Sequence, residues 1–110
     1  MKLPNPERAI IDINKLSGYS LNLQHPDGQH KARVFEAALG LTVNDVEELR
    51  LALLQAIQVY DAILERSNLY GQKYIVDFHL RRLGKEAIIH SLWIVRNNED
   101  FARLVTCYVL

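Results

Sequence analysis

Between Leu21 and Phe35 the chain reads Leu21-Asn22-Leu23-Gln24-His25-Pro26-Asp27-Gly28-Gln29-His30-Lys31-Ala32-Arg33-Val34-Phe35, a turn rich in titratable groups that leads directly into a helical pattern. His25, His30, Lys31 and Arg33 place two imidazoles and two cations at a helix start, where free backbone N–H groups and the macrodipole already favour anions. First turns more commonly carry Asp or Glu, so cations here oppose the dipole and suit a phosphate ligand. The chemistry this set supports best is metal-independent phosphodiester cleavage in RNA. The 2′-hydroxyl needs a base, the departing 5′-oxygen needs an acid, and the phosphorane needs cations. Histidine can fill either proton-transfer role near neutral pH. His25 and His30 are the candidate pair, Lys31 and Arg33 the candidate clamp, and Thr106 or Ser91 a hydroxyl donor to phosphate. Equally, His30 and Lys31 can be exposed helix residues and His25 a turn residue, because nearness in sequence does not establish geometry.

Other chemistries find less support. His25 and His30 lack the helical i, i+4 spacing of a paired zinc ligand and have no third ligand nearby. No metal and no cofactor is therefore expected. There is no glycine-rich phosphate loop, no G-x-S-x-G elbow and no cysteine nucleophile motif. The single cysteine, Cys107, lies in the apolar run Leu104 to Leu110 and reads as a core thiol. His79 and His90 lack sequence-adjacent partners and read as ordinary strand residues.

The elements that must hold these groups follow from periodicity. With 110 residues, 49% hydrophobic and 24% charged, the chain is expected to form one domain over 1–110. Pro4 and Pro6 predict an extended start, after which Ile10, Ile11 and Ile13 face the core and Ile13 to Leu16 forms a short helix ended by Gly18. Ala32, Phe35, Ala38 and Leu39 mark the inner face of a helix over Gln29 to Leu39, which Gly40 terminates. Thr42 and Asp45 predict a capping-box variant. Val46, Leu49, Leu53, Ala56, Ile57 and Tyr60 then stripe a second helix. Beyond Tyr60 the pattern alternates, with strands expected over Ala62 to Arg66, Lys73 to Arg81, Glu86 to Arg96 and Phe101 to Leu110. Helices followed by strands predict an α+β domain, its N-terminal helices on one face of a three- to four-stranded antiparallel sheet.

Such a sheet leaves its other face open. Ser91 and Trp93, with Asp77 and His79, are assigned to that face, and on the last strand Thr106 and Tyr108 are open while Val105, Cys107 and Val109 are core. Trp93 or Tyr108 would then be a base-stacking platform, with Ser91 and Arg96 as further RNA contacts. Net charge is zero, which argues against a generic polyanion binder. The distribution is uneven: residues 41–65 carry five acids and one base, a local charge of −4, and residues 66–96 carry six bases and two acids, a local charge of +4. No apolar run reaches a membrane span and Met1 to Pro6 lacks a signal-peptide centre, so a cytoplasmic chain with no membrane partner is expected.

These residues resemble a small bacterial domain family marked by Lys2-Leu3-Pro4-Asn5-Pro6-Glu7-Arg8-Ala9, by the Leu21 to Phe35 motif, by Tyr70-Gly71-Gln72 and by Leu104-Val105-Thr106-Cys107-Tyr108. The resemblance spans essentially the whole chain. The central motif also resembles the toxin tips of bacterial polymorphic and contact-dependent toxins, nucleases of the broad barnase, EndoU, colicin E5 and RelE-like fold. That resemblance implies a toxin-like ribonuclease acting on RNA and held in check by a cognate antitoxin or immunity protein. His25, Lys31, Arg33 and Thr106 are the positions it carries over. The alternative is a non-catalytic binding module, itself an antitoxin, immunity or adaptor protein, gripping an acidic partner with the same cations. Imidazoles separate the two, since a grip needs cations alone.

Overall fold

The structure, a computed structural model, describes all of residues 1–110. Helix α1 covers Gln29–Leu39 and buries Ala32, Phe35 and Leu39, the inner face that the spacing requires. It ends at Gly40, whose φ of 67° supplies the left-handed cap that closes the helix. The Thr42 side chain then accepts from the Asn44 N–H and the Asp45 carboxylate accepts from the Thr42 N–H, a reciprocal cap on the short 3-10 turn Val43–Asp45. Helix α2, Val46–Val59, continues from it and buries Leu49, Leu53, Ala56 and Ile57. Tyr60 lies just past the helix end and is exposed, so it falls outside the expected stripe.

Four strands follow: β1 at Ile63–Leu64, β2 at Gly71–Arg82, β3 at Lys85–Arg96 and β4 at Ala102–Val109. They form one antiparallel sheet in chain order. Leu83 and Gly84, with φ of 52° and 75°, make the two-residue turn joining β2 to β3. Two positive-φ residues match the twist of the strands and fix a register that pairs Arg82 with Lys85 and, further along, Asp77 with His90. Both helices cover one face. There Phe35, Leu39, Leu49, Leu53 and Ile57 pack with Tyr74, Val76, Phe78, Ile89, Trp93 and Leu104 in one apolar core. Truncating Phe35, fully buried at its centre, would cost about 3–5 kcal/mol.

That core overturns the placement of Ser91 and Trp93. Both are fully buried on the helix-covered face. Trp93 Nε1–H donates to Ser91 Oγ at 2.9 Å and Ser91 Oγ–H donates to the Val76 carbonyl at 2.6 Å, so neither residue is available to RNA. The indole is simply the largest apolar group that the sheet can contribute, and Ser91 satisfies its one polar atom. Val105 is corrected as well. A bulge opposite Leu92 and Trp93 pairs Leu92 with Thr106 and Trp93 with Leu104, leaving Val105 as the extra residue. Leu104 and Cys107 therefore both point into the core. Ile10 is more exposed than expected and contributes backbone instead, bridging to β4 at Arg103. Gly18 does not end the first helical segment, which runs on as a π-helical turn over Leu16–Ser20. Its wider register lets Leu16, Ser20 and Leu21 all face inward, and Ser20 Oγ–H donates to the Cys107 carbonyl at 3.2 Å.

Candidate functional site

The π-helical turn, the start of α1 and the end of β4 meet at one edge of the sheet. Gly28 makes the meeting possible: a Cβ there would collide with the Tyr19 carbonyl, so the turn before α1 closes onto the π-helical turn only with glycine. Lys31, in the first turn of α1, then reaches around β4 to the open face. Its ammonium donates to Thr106 Oγ1 at 3.3 Å. It also lies 4.8 Å from the Tyr19 ring centre and 5.3 Å from that of Tyr108, positions over two electron-rich faces. No carboxylate is within ion-pair distance of it, whereas Lys2, Arg8, Arg50, Arg81, Arg82 and Arg103 are each paired with an acid. A half-buried, unneutralised cation between a hydroxyl and two phenols is arranged to receive an anion.

The surroundings are concave. A cleft of about 430 Å³ is lined by Asn14, Lys15, Tyr19, Lys31, Val105 and Thr106. A second depression, about 230 Å³, lies on the other side of Lys31 between His30, Val34 and Tyr108. The largest cavity, about 620 Å³, shares Lys15 and Val105 with the first and extends along the β4 edge to Arg96 and Arg103. Arg103 is committed to Glu99, whose carboxyl it holds below its ordinary range through a hydrogen bond at 2.7 Å. Arg96 carries no ion pair and lines the far end of this cavity, so it joins the Lys31 cleft through Lys15 and Val105.

The histidines and Arg33 are placed less uniformly. His30 is exposed and shares the Tyr108 depression with Lys31. His25 Nδ1 accepts the N–H groups of Asp27 and Gly28, each at 3.0 Å, and its ring meets Tyr19 edge-on at 4.8 Å. Two donors on Nδ1 fix the tautomer with the proton on Nε2, which gives His25 a turn-capping role and a single outward N–H. Arg33 does not join Lys31. Two residues along an α-helix is about 200° of rotation, so the guanidinium emerges on the opposite flank, where it donates to Gln29 Oε1 at 3.0 Å.

Three features of this surface were missed in the sequence: Tyr19, the depth of Lys31, and a pairing between Asp77 and His90. His90 Nδ1 lies 2.8 Å from Asp77 Oδ1, and its ring centre is 4.9 Å from that of Tyr108. Asp77 and His90 are direct cross-strand partners. Counting outward from a two-residue turn at Leu83-Gly84 would have found them. Asp77 and His79 are on the open face, as expected, with His79 3.5 Å from Glu86. Cys107 is inert: burial pushes its thiol up to about 12, against the opposing effects of Ser20 and Lys31. No cluster of three or more His, Cys, Asp or Glu side chains is placed to hold a metal ion. No helix is long and apolar enough to cross a membrane.

The acidic and basic halves of the chain are tied together by ion pairs through a single base, Arg82. Arg82 grips Glu48 at 2.6 Å and Asp45 at 3.2 Å, joining β2 to the start of α2, and donates to the carbonyls that end α1. Of the other bases in residues 66–96, Arg81 pairs with Glu86, and Arg66, Lys73, Lys85 and Arg96 have no acid within ion-pair distance.

Comparison with solved structures finds a chain from a contact-dependent growth inhibition toxin–immunity protein complex of Klebsiella pneumoniae 342, with a TM-score of 0.70 and 16% identity over 92% of this chain and 99% of that one. The two share the α+β fold, helices on one face of an antiparallel sheet. No curated protein sequence matches the chain. A family profile, described as a domain of unknown function (DUF6883), matches residues 2–110, and the chain belongs to that family.

Proposed function

We propose that this domain is a metal-independent, toxin-like ribonuclease whose scissile phosphate binds at Lys31 and Thr106. The observation that carries the reading is the Lys31 ammonium, unpaired with any acid, half-buried, and 3.3 Å from a hydroxyl that points onto the open face. Lys31 offers charge to the non-bridging oxygens and Thr106 Oγ1 offers a hydrogen bond, while His25 braces the Tyr19 ring that lines the cleft. His30 has no hydrogen-bond partner and shares the depression beside Tyr108, where an imidazolium can deliver a proton to the departing 5′-oxygen. The Tyr108 and Tyr19 rings give the flanking bases apolar faces. From Lys31 the β4 edge leads past Lys15 to Arg96, a path for the phosphates that follow. Arg33, on the far flank of α1, has no part in this grip.

Two further elements of the reading concern setting. RNA is a cytoplasmic substrate, and a cell making such an enzyme requires a protein that neutralises it. The similarity of the fold to a chain taken from a toxin–immunity complex supports a cognate protein partner of this kind. The test is purified protein with RNA in EDTA. Cleavage should leave 2′,3′-cyclic phosphate ends, and Lys31→Ala should slow it by about 10²- to 10³-fold, the loss seen when a single stabiliser of a charged transition state is removed. Arg33→Ala should leave it near the native rate. Absence of cleavage by native protein, beside tight binding to a protein encoded next to it, would replace the enzyme with a binding module.

A further inference from the structure

Internal attack by a 2′-hydroxyl needs two proton-transfer groups, and the start of α1 supplies one. His25 cannot be the other in the observed arrangement, because accepting a proton at Nδ1 would break both of its bonds to the Asp27 and Gly28 N–H groups. The open face of the sheet holds an imidazole in the opposite state. At 2.8 Å from a carboxylate oxygen, His90 Nδ1 must carry the proton, since two lone pairs at that distance would repel. Nε2 is then the unprotonated nitrogen, a proton acceptor, and the imidazolium formed on it faces the negative charge of Asp77. His90 is mostly buried, with a side chain 18% exposed, and is braced by the Tyr108 ring. It lines a groove of about 350 Å³ together with Arg66, Ser67, Asn68 and Lys73, where the two cations outnumber the one carboxylate, Glu65. Tyr108 is the common neighbour: its ring centre is 4.9 Å from that of His90 and 5.3 Å from the Lys31 ammonium, and it lines the depression that holds His30.

We propose that His90, held by Asp77, is the base of this site and that its groove, with Lys73 and Arg66, seats the neighbouring RNA phosphate. The inference rests on the ribonuclease reading and deepens it. His90 Nε2 takes the proton of the 2′-hydroxyl as that oxygen bonds to phosphorus. The bond from phosphorus to the 5′-oxygen breaks, and that oxygen takes its proton from the His30 imidazolium. The products are a 2′,3′-cyclic phosphate and a 5′-hydroxyl, and solvent returns both histidines to their starting states. His90 is the catalytic residue here; Asp77 is a positioning residue, acting through the His90 tautomer.

The experiment combines cleavage of a short RNA in EDTA with NMR titration of the native protein by the same sequence made of 2′-deoxynucleotides, which binds but has no hydroxyl to attack. His90→Gln should lower the cleavage rate by about 10²-fold or more while leaving affinity for the deoxy analogue within about threefold. Lys73→Ala should weaken analogue binding. Asp77→Asn should lower the rate less and move the His90 ring ¹⁵N signals from the Nδ1–H tautomer toward a mixture; a carboxylate with only a structural role would leave the rate per folded molecule unchanged. The analogue should shift the His90 ring signals in native protein. Unmoved His90 signals overturn the proposal without recourse to any variant, as does native-rate cleavage by folded His90→Gln. In those cases RNA cleavage by the native protein would still stand. A native protein inert toward RNA refutes the ribonuclease reading itself, and the role of His90 with it.

Discussion

Ser91→Ala removes one oxygen from the centre of the protein and tests which way β3 faces. The Ser91 hydroxyl donates to the Val76 carbonyl at 2.6 Å and accepts from Trp93 Nε1–H at 2.9 Å, with both residues fully buried. Without it the indole N–H has no partner and no route to water. An unsatisfied buried donor costs about 1–3 kcal/mol, and the lost bond to the Val76 carbonyl adds about 1 kcal/mol. A total of about 2–4 kcal/mol lowers the melting temperature of a domain of this size by roughly 8–20 °C. Urea and thermal unfolding followed by the fluorescence of Trp93, the one tryptophan in the chain, measure it directly. In a Trp93→Phe background the donor is absent, so Ser91→Ala should cost markedly less there, and a double-mutant cycle read by circular dichroism isolates the difference. A loss under about 0.5 kcal/mol would refute the buried pair. So would a loss of RNA cleavage per folded molecule with stability unchanged, the outcome expected of a hydroxyl on the open face.

The Cys107 thiol is raised by burial from its ordinary value near 9 to about 12, so in rising pH the unfolded chain releases its proton first and stability falls between those limits. Iodoacetamide at pH 8.5 should therefore leave the native thiol unmodified and alkylate it promptly in urea; fast native labelling would contradict its burial. Leu83 has a φ of 52°, a conformation that disfavours leucine, and its side chain is exposed, so Leu83→Asn should stabilise the turn by about 0.5–1 kcal/mol in urea unfolding. Gly28→Ala forces its Cβ onto the Tyr19 carbonyl and should uncouple the π-helical turn from α1. Its signature is a cleavage rate reduced more than stability, with Tyr19 and Lys31 amide signals displaced in NMR spectra.

What the sequence makes legible divides along a physical line. Local chemistry settles the α1 limits, through Gly40 and the Ala32, Phe35, Leu39 spacing, and the Thr42–Asp45 cap, because each is decided within a few residues. The faces of β3 were not decided that way. Ile89, Ser91 and Trp93 alternate with Ile88, Leu92 and Ile94, and both sets are largely apolar, so alternation alone cannot orient the strand. The partner of Trp93 Nε1 decides it, and that partner is the serine two residues earlier on the same face. On β4 the alternation is clear but interrupted, since the bulge at Val105 shifts the pattern by one residue between Leu104 and Cys107.

The candidate site shows the same limit in a sharper form. Lys31 and Arg33 stand two residues apart in a motif, yet helical rotation sends one to Thr106 across the sheet edge and the other to Gln29 on the far flank. A motif records which residues occur together; the helix decides which of them meet. The histidines carry the argument further. His25 and His90 are the same side chain, but Nδ1 of the first receives two backbone N–H groups and Nδ1 of the second faces a carboxylate. These neighbours fix opposite tautomers, so one imidazole presents an N–H to the solvent side and the other a lone pair. The second pairing joins residues thirteen apart in sequence and becomes visible only when the turn at Leu83 and Gly84 sets the register. What an imidazole on this surface can offer a proton thus depends less on how many histidines the chain carries than on what each Nδ1 touches.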